Sequence, residues 1–447
     1  MMLCLTTRNM LLGTCAAAAL TLAASGGASA QPTTIVYGGG STLAAKIYGT
    51  MFSNLTSQFD PTTGYSYAAV GSGQGTRAVL CNDGSQAVNP ATNTNAPDVH
   101  FGATDNPLTQ TQIADWNNSS NKQTGGGSSC VGGVAAGAGQ GKAQGGQLIQ
   151  IPTIGTPVTI PVHAGNPSVN GSLTFTDAQL CGIFSGQITS WTDSKLSGVY
   201  SGSSRYRPSG NITVVYRSDG SGTSALLTSH LNAVCSPSQT GGVSFPAGGT
   251  QTFTTVFGSV PSGFVGASGS GGVASAIAAN AGSVGYISPD YTQVPSQNSG
   301  NSSFPVVAAV VNGTTHAALL PTVPNTVAAL NEASLANINP ADGTTFVPTI
   351  PNPPVGYPIV GYTTIVLPTC YASNNVANGI YNFYSEITGD SAYLNSVEAQ
   401  GFTPLPQALL DVINSNIWNP GSASPPIDVQ DGAAGCVQGG GTTYAGR

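Results

Sequence analysis

Apolar residues along this chain come in short bursts that end in glycine and hydroxyl residues. Ile35–Tyr37 is strand-like and runs into Gly38-Gly39-Gly40-Ser41-Thr42. Leu43, Ile47, Met51 and Leu55 then recur at every fourth position, which predicts a helix. Tyr65–Val70 alternates as a strand, ends at Gly71-Ser72-Gly73-Gln74-Gly75, and leads into a helical piece at Thr76–Cys81. Val99–Gly102 is a third strand, closing on Ala103-Thr104-Asp105. After a Gly-, Ser-, Asn- and Gln-rich interruption at 117–147, Leu148–Pro161 resumes an apolar strand pattern. Leu173–Trp191 reads as helix with Thr176 as its cap, and Ile212–Tyr216 as strand. The strand breaks at Arg217-Ser218-Asp219-Gly220-Ser221-Gly222-Thr223, and Ser224–Val234 continues as helix. Val273–Ala279, Asn375–Ile387 and Ser391–Ala399 are helical; Ser283–Ile287 and Tyr357–Leu367 are strands. Residues 290–355 are heterogeneous and proline-rich. Strand, glycine turn, helix, repeated, is the rhythm of an α/β protein.

Composition narrows the picture. Charged residues are 6% of 447, against about a quarter in an average soluble protein. Lys and Arg number 10 and Asp and Glu 17, a net charge of −7, which argues against a nucleic-acid binder working through a basic surface. With 40% hydrophobic residues the chain has material for real cores.

Residues 1–30 read as a secretory signal peptide: Arg8 is the sole charge, an apolar stretch runs from Met10 to Ala24, and Ala28-Ser29-Ala30 supplies small residues for cleavage. The mature chain then begins at about Gln31, with a net charge of −8, and its expected location is the periplasm or the medium. Cys4 and Cys15 leave with the signal. Cys81, Cys130, Cys181, Cys235, Cys370 and Cys436 remain, an even number that fits up to three disulfides in an exported protein. Fifteen pairings are open; nearest-neighbour pairing (81–130, 181–235, 370–436) is the expectation.

Four glycine/hydroxyl turns, around Thr42, Ser72, Asp105 and Ser221, lie at strand ends or helix starts. Ligands of α/β folds sit at the carboxyl ends of strands, where helix N-termini present free N–H groups that favour anions. The densest turn is 214–227, in which Arg217 offers a planar fork to two oxygens of a tetrahedral oxyanion and Asp219 can hold its rotamer. His100, His163, His230 and His316 are scattered and form no HExxH, so no metal is expected, and Ser221 lies outside a GxSxG context.

Several segments in the right order resemble the phosphate-binding proteins of bacterial high-affinity phosphate ABC transporters, a periplasmic binding protein family. They are GGGSTL (38–43), AVGSGQG (69–75), DVHFGATDNPL (98–108), LCGIFSGQITSW (180–191), YRSDGSGT (216–223), GSVGYI (282–287) and YPIVGY (357–362). The insertion at 117–147 and the 290–355 region depart from a compact member of that family.

The resemblance implies a two-lobed type II fold with two crossover hinge segments and the ligand in the cleft between lobes. Lobe one is expected at 31–155 and 295–447, with a proline-rich extension at 295–355, and lobe two at 156–294. It further implies that the Thr42 side chain, the Leu43 amide and Ser72 hold phosphate from lobe one, where Asp105 accepts a hydrogen bond from a protonated phosphate oxygen. Arg217, Ser221, the Gly222 amide and Thr223 would close from lobe two, with Asp219 orienting Arg217. An ionised Asp is acceptor-only, so a proton on phosphate relieves it while sulfate at neutral pH does not. The expectation is a monomeric, non-enzymatic phosphate binder without cofactor or nucleic acid, serving an inner-membrane permease or scavenging phosphate outside the cell. A secreted phosphatase using the same oxyanion pocket, and a structural or adhesive surface protein on the same fold, are the alternatives.

Overall fold

In the computed structural model the described residues are 32–84, 98–118, 141–163, 171–202, 208–292 and 306–418, with short strands at 122–123, 128–129, 430–431, 436–438 and 442–444. The signal peptide, most of the 117–147 insertion, Cys130 and the side chain of Cys436 lie outside them.

Two five-stranded sheets carry the site. The first contains β1 (Thr34–Gly40), β2 (Thr63–Ala68), β3 (Phe101–Thr104), β4 (Leu148–Pro157) and, late in the chain, β14 (Val360–Pro368). Their order is β2-β1-β3-β14-β4. β1 pairs in parallel with β2 and β3, and β14 runs antiparallel between β3 and β4. Every residue of β3, β4 and β14 is buried, so these strands show no alternation of buried and exposed positions. Helices α1 (Ala45–Asn54) and α2 (Ser72–Cys81) follow β1 and β2. Gly75 and Gly102 let α2 lie on the sheet: a Cβ on Gly75 would fall 2.3 Å from the Gly40 Cα, and one on Gly102 would fall 2.4 Å from the Gly75 carbonyl. On the other side, Tyr48, Phe52 and Phe101 pack against Phe383 of a C-terminal helix, with ring centroids 4.8–5.6 Å apart. Each such ring contributes roughly 1.5–3 kcal/mol by leaving water.

The second sheet has the order β9-β8-β10-β5-β11, where β5 is Pro161–Val162, β8 Thr213–Arg217, β9 Phe264–Ala267, β10 Ser283–Gly285 and β11 Val306–Val307. β8 is parallel to both neighbours. Helix α4 (Gly222–Val234) follows β8, and α5 (Gly269–Ala279) follows β9. The two-lobed type II architecture is therefore present, with the chain stepping between sheets at 157–161.

Three expectations shift. Leu173–Trp191 is not one helix. Gly171–Phe175 is a strand, β6, paired with β7 (Tyr200–Gly202). Only Asp177–Phe184 (α3) is helical, opened by a Thr176–Gln179 capping box and stopped where Gly186 takes φ +77°. The return to lobe one does not come at 295: β11 pairs with β5, and β12 (Ala309–Val311) pairs with β6 and with β13 (Ala318–Leu319). Part of the proline-rich extension therefore builds the second lobe. Helix α2 also begins one turn earlier than Thr76, which puts Ser72 in its first turn. Of the cysteines, Cys181 and Cys235 are joined, Cα atoms 5.6 Å apart. Cys81 and Cys370 are disulfide-bonded as well; the expected pairings 81–130 and 370–436 involve side chains outside the described residues.

Candidate functional site

The carboxyl ends of β1, β2, β3 and β8 converge, and with them the residues singled out by sequence. Ser41, Leu43, Ser72, Asp105, Arg217, Ser221, Gly222 and Thr223 are all buried; Thr42 and Asp219 are half-buried. The two lobes meet directly here. A Cβ on Gly222, at the start of α4, would lie 2.5–2.7 Å from atoms of Asp105, and one on Gly71 would lie 2.6 Å from Asp219 Oδ2. The Gly73 amide donates to the Gly220 carbonyl across the seam at 3.0 Å, and Gln251 Nε2 donates to Asn106 Oδ1 at 2.6 Å.

On the first-lobe side, Asp105 ends β3 and is wrapped by hydroxyls. Ser41 Oγ and Thr363 Oγ1 donate to Oδ1 at 2.6 and 2.9 Å, and Ser72 Oγ donates to Oδ2 at 3.4 Å. Burial raises its carboxyl above the ordinary value, while the Ser41 and Thr363 hydroxyls, the Arg217 charge and Ser72 pull the other way. The Leu43 amide donates to Ser41 Oγ at 3.2 Å. Thr42 does not turn toward Asp105. Its Oγ1 lies 3.2 Å from Ser270 Oγ and accepts from the Ser270 amide, reaching the first turn of α5 in the other lobe.

On the second-lobe side, Arg217 ends β8 and donates to Asp219 twice, Nε to Oδ1 at 2.7 Å and Nη2 to Oδ2 at 2.5 Å. Asp219 Oδ1 also accepts from the Gly269 amide at 2.9 Å. Burial alone would push the Asp219 carboxyl up; the Arg217 hydrogen bonds and charge, with Gly269, bring it below its ordinary value. The Arg217 amide donates to Tyr286 Oη, which contacts Ser224 Oγ at 2.7 Å. Ser221 caps α4, its side chain accepting from the Ser224 amide at 3.2 Å. Thr223 Oγ1 is buried and has no hydrogen-bond partner among the described residues, an orphan that an oxyanion would satisfy.

Guanidinium, N-terminal amides of α4, hydroxyls and two carboxylates, Asp219 paired to Arg217 and Asp105 held only by hydroxyls, are thus brought together at the seam. The set suits a tetrahedral oxyanion that carries a proton. Three of the four histidines are engaged elsewhere: His100 Nδ1 accepts from the Tyr37 amide, His163 Nδ1 contacts the Ile277 carbonyl, and His230 contacts Asp177 and the Pro351 carbonyl; His316 is exposed. Sequence reading missed Ser41, Thr363, Ser270 and Tyr286. Ser41 stands beside Thr42 in the first glycine turn, and Thr363 is a polar residue inside an apolar run; both were visible as types, not as partners of Asp105.

A family model described as PBP superfamily domain matches residues 27–391. A curated relative named Alkaline phosphatase L, from Pseudomonas aeruginosa strain PAO1, is 34% identical over 386 residues, covering 85% of this chain and 87% of the relative. A relative named Phosphate-binding protein, from an unknown prokaryotic organism, is 32% identical over 390 residues, covering 82% and 90%. Among solved structures, a phosphate binding protein from Stenotrophomonas maltophilia matches with TM-score 0.66 and 29% identity over 90% of this chain and 97% of its own. A high affinity periplasmic phosphate-binding protein (PfluDING), solved with phosphate bound, matches with TM-score 0.67 and 28% identity over 87% and 95%.

Proposed function

The chain belongs to the PBP superfamily, among its phosphate-binding proteins, and on that premise we propose that it captures inorganic phosphate outside the cytoplasm without transforming it. The supporting observation is Asp105: a buried carboxylate anchored by hydroxyl donors and facing, across the lobe seam, the amide-bearing start of α4. Arg217, Ser221, the Gly222 amide and Thr223 supply donors from one lobe. The Thr42 side chain, the Leu43 amide and Ser72 supply them from the other, and Asp219 fixes the Arg217 fork. Thr42 and Leu43 exchange their present partners, Ser270 and Ser41, for phosphate oxygens. The captured phosphate is handed to an inner-membrane permease or kept from competitors in the medium, and the protein acts as a monomer.

Calorimetric titration of the mature protein with phosphate tests this reading. Tight binding raises the melting temperature as well, because ligand at a hundredfold excess over Kd adds about 2.7 kcal/mol. Absence of both signals overturns it. The name Alkaline phosphatase L, borne by the Pseudomonas aeruginosa relative, favours examining phosphatase activity too. Release of the chromophore from a chromogenic phosphomonoester by the intact protein but not by Arg217→Ala would replace binding with catalysis. The expected result is no release, since the Ser221 hydroxyl is engaged in capping α4 and the His230 ring is bound to Asp177 and Pro351.

A further inference from the structure

We propose that Ser41 and Thr363 are positioning residues for Asp105: their two hydroxyls saturate Oδ1 and leave Oδ2 as the acceptor that reads a proton on the bound anion. This rests on the phosphate-binding reading above. The two oxygens of the carboxylate are not equivalent. Oδ1 takes both short bonds, from Ser41 Oγ at 2.6 Å and Thr363 Oγ1 at 2.9 Å. Oδ2 has the long contact to Ser72 at 3.4 Å and is the oxygen a Gly222 Cβ would meet, at 2.7 Å, so it faces the α4 side of the seam.

The direction of the protons is fixed as well. Ser41 Oγ accepts from the Leu43 amide, which turns its own O–H toward Oδ1. Both supporting residues are held from behind. Tyr67 Oη donates to the Ser41 carbonyl at 2.7 Å, and Thr153 Oγ1 donates to the Thr363 carbonyl at 3.0 Å while contacting Tyr48 Oη at 2.6 Å. The two hydroxyl protons on Oδ1 stabilise the ionised, acceptor-only carboxylate against the burial that raises it. Arg217 across the seam acts in the same sense, while Tyr48 and Tyr67 are kept neutral by burial. Without the two hydroxyls Asp105 would take up a proton more readily, donate through Oδ2, and accept an anion that brings no proton of its own. Selectivity for a protonated oxyanion would then fall, because the rejection depends on an acceptor left unmatched.

The test is calorimetric titration with inorganic phosphate and with sulfate at a series of pH values between about 5 and 8.5, on the alkaline side of an ordinary carboxyl. Thr363→Val should lower the phosphate-over-sulfate affinity ratio about tenfold or more, the worth of one buried hydrogen bond to a charged group. The pH below which phosphate affinity declines should move upward. Thr363→Ser should restore both quantities, and Ser41→Ala should shift them in the same direction as Thr363→Val. Parallel weakening of both anions with an unmoved acid limb, or no rescue by Thr363→Ser, overturns the inference while leaving phosphate capture standing. Failure of the unaltered protein to bind phosphate overturns both.

Discussion

In the first lobe the charged group of the site is a carboxylate sunk among three hydroxyls; in the second it is a guanidinium gripped at two nitrogens by a carboxylate of its own. The two acids respond in opposite senses. Asp105 has only neutral donors in contact, so burial wins and its carboxyl rises. Asp219 has a cation in contact, so pairing wins and its carboxyl falls. On the phosphate-binding reading proposed above, the second lobe supplies grip through fixed positive charge and amides, and the first reads the guest's proton through an acceptor that neutral groups keep in place.

The sharpest way to break this division is Arg217→Ala. It removes the cation and strands Asp219 half-buried, so phosphate affinity should drop by at least about a hundredfold, read by calorimetry. A drop that small residual donors fully absorb would mean the second lobe is not the gripping half. Next, Asp105→Asn should leave phosphate bound but shrink its advantage over sulfate by about tenfold or more, since an amide can donate to sulfate. Unchanged selectivity would assign the proton reading elsewhere. The two acids then separate by pH. The folded chain holds the Asp105 proton more tightly than the unfolded chain does. That stabilising contribution is complete below the ordinary carboxyl value of 3.8 and is lost as pH rises through the raised folded value. Asp219 contributes stability above 3.8 that is lost as pH falls through its lowered folded value. In denaturant titrations, Asp219→Asn should remove the second loss and Asp105→Asn the first. The smallest effect is at the rim, where Lys46 Nζ lies 3.2 Å from Asp290 and over the Tyr291 ring. Lys46 is 48% exposed but the Asp290 side chain is buried and its carboxyl raised, so Lys46→Met should cost about 1 kcal/mol, with Asp290 taking up a proton in place of its lost partner.

The candidate site was legible in sequence wherever its residues lie in a local word. Thr42, Ser72, Asp105 and the 217–223 turn each sit at the end of an apolar strand, and that pattern survives in one dimension. What escaped depends on partners far along the chain. Thr363 reaches Asp105 over 258 residues, and Thr42 meets Ser270 over 228. The same holds for the fold. Leu173–Phe175 reads as the start of the helix that forms only at Asp177–Phe184, and pairing with Tyr200–Gly202 and Ala309–Val311 makes Gly171–Phe175 a strand. The strands at 306–319 are short and flanked by prolines, so their membership in the second lobe is decided by sheet edges that no local window contains.

The contact between Gly222 and Asp105 leaves no room for even one additional carbon. An alanine at that position would act as a wedge in the hinge's jaw. Such a variant would hold the lobes ajar whatever the solution contains, giving a permanently gaping form of the molecule against which a shut one can be compared by scattering or by fluorescent labels on either lobe.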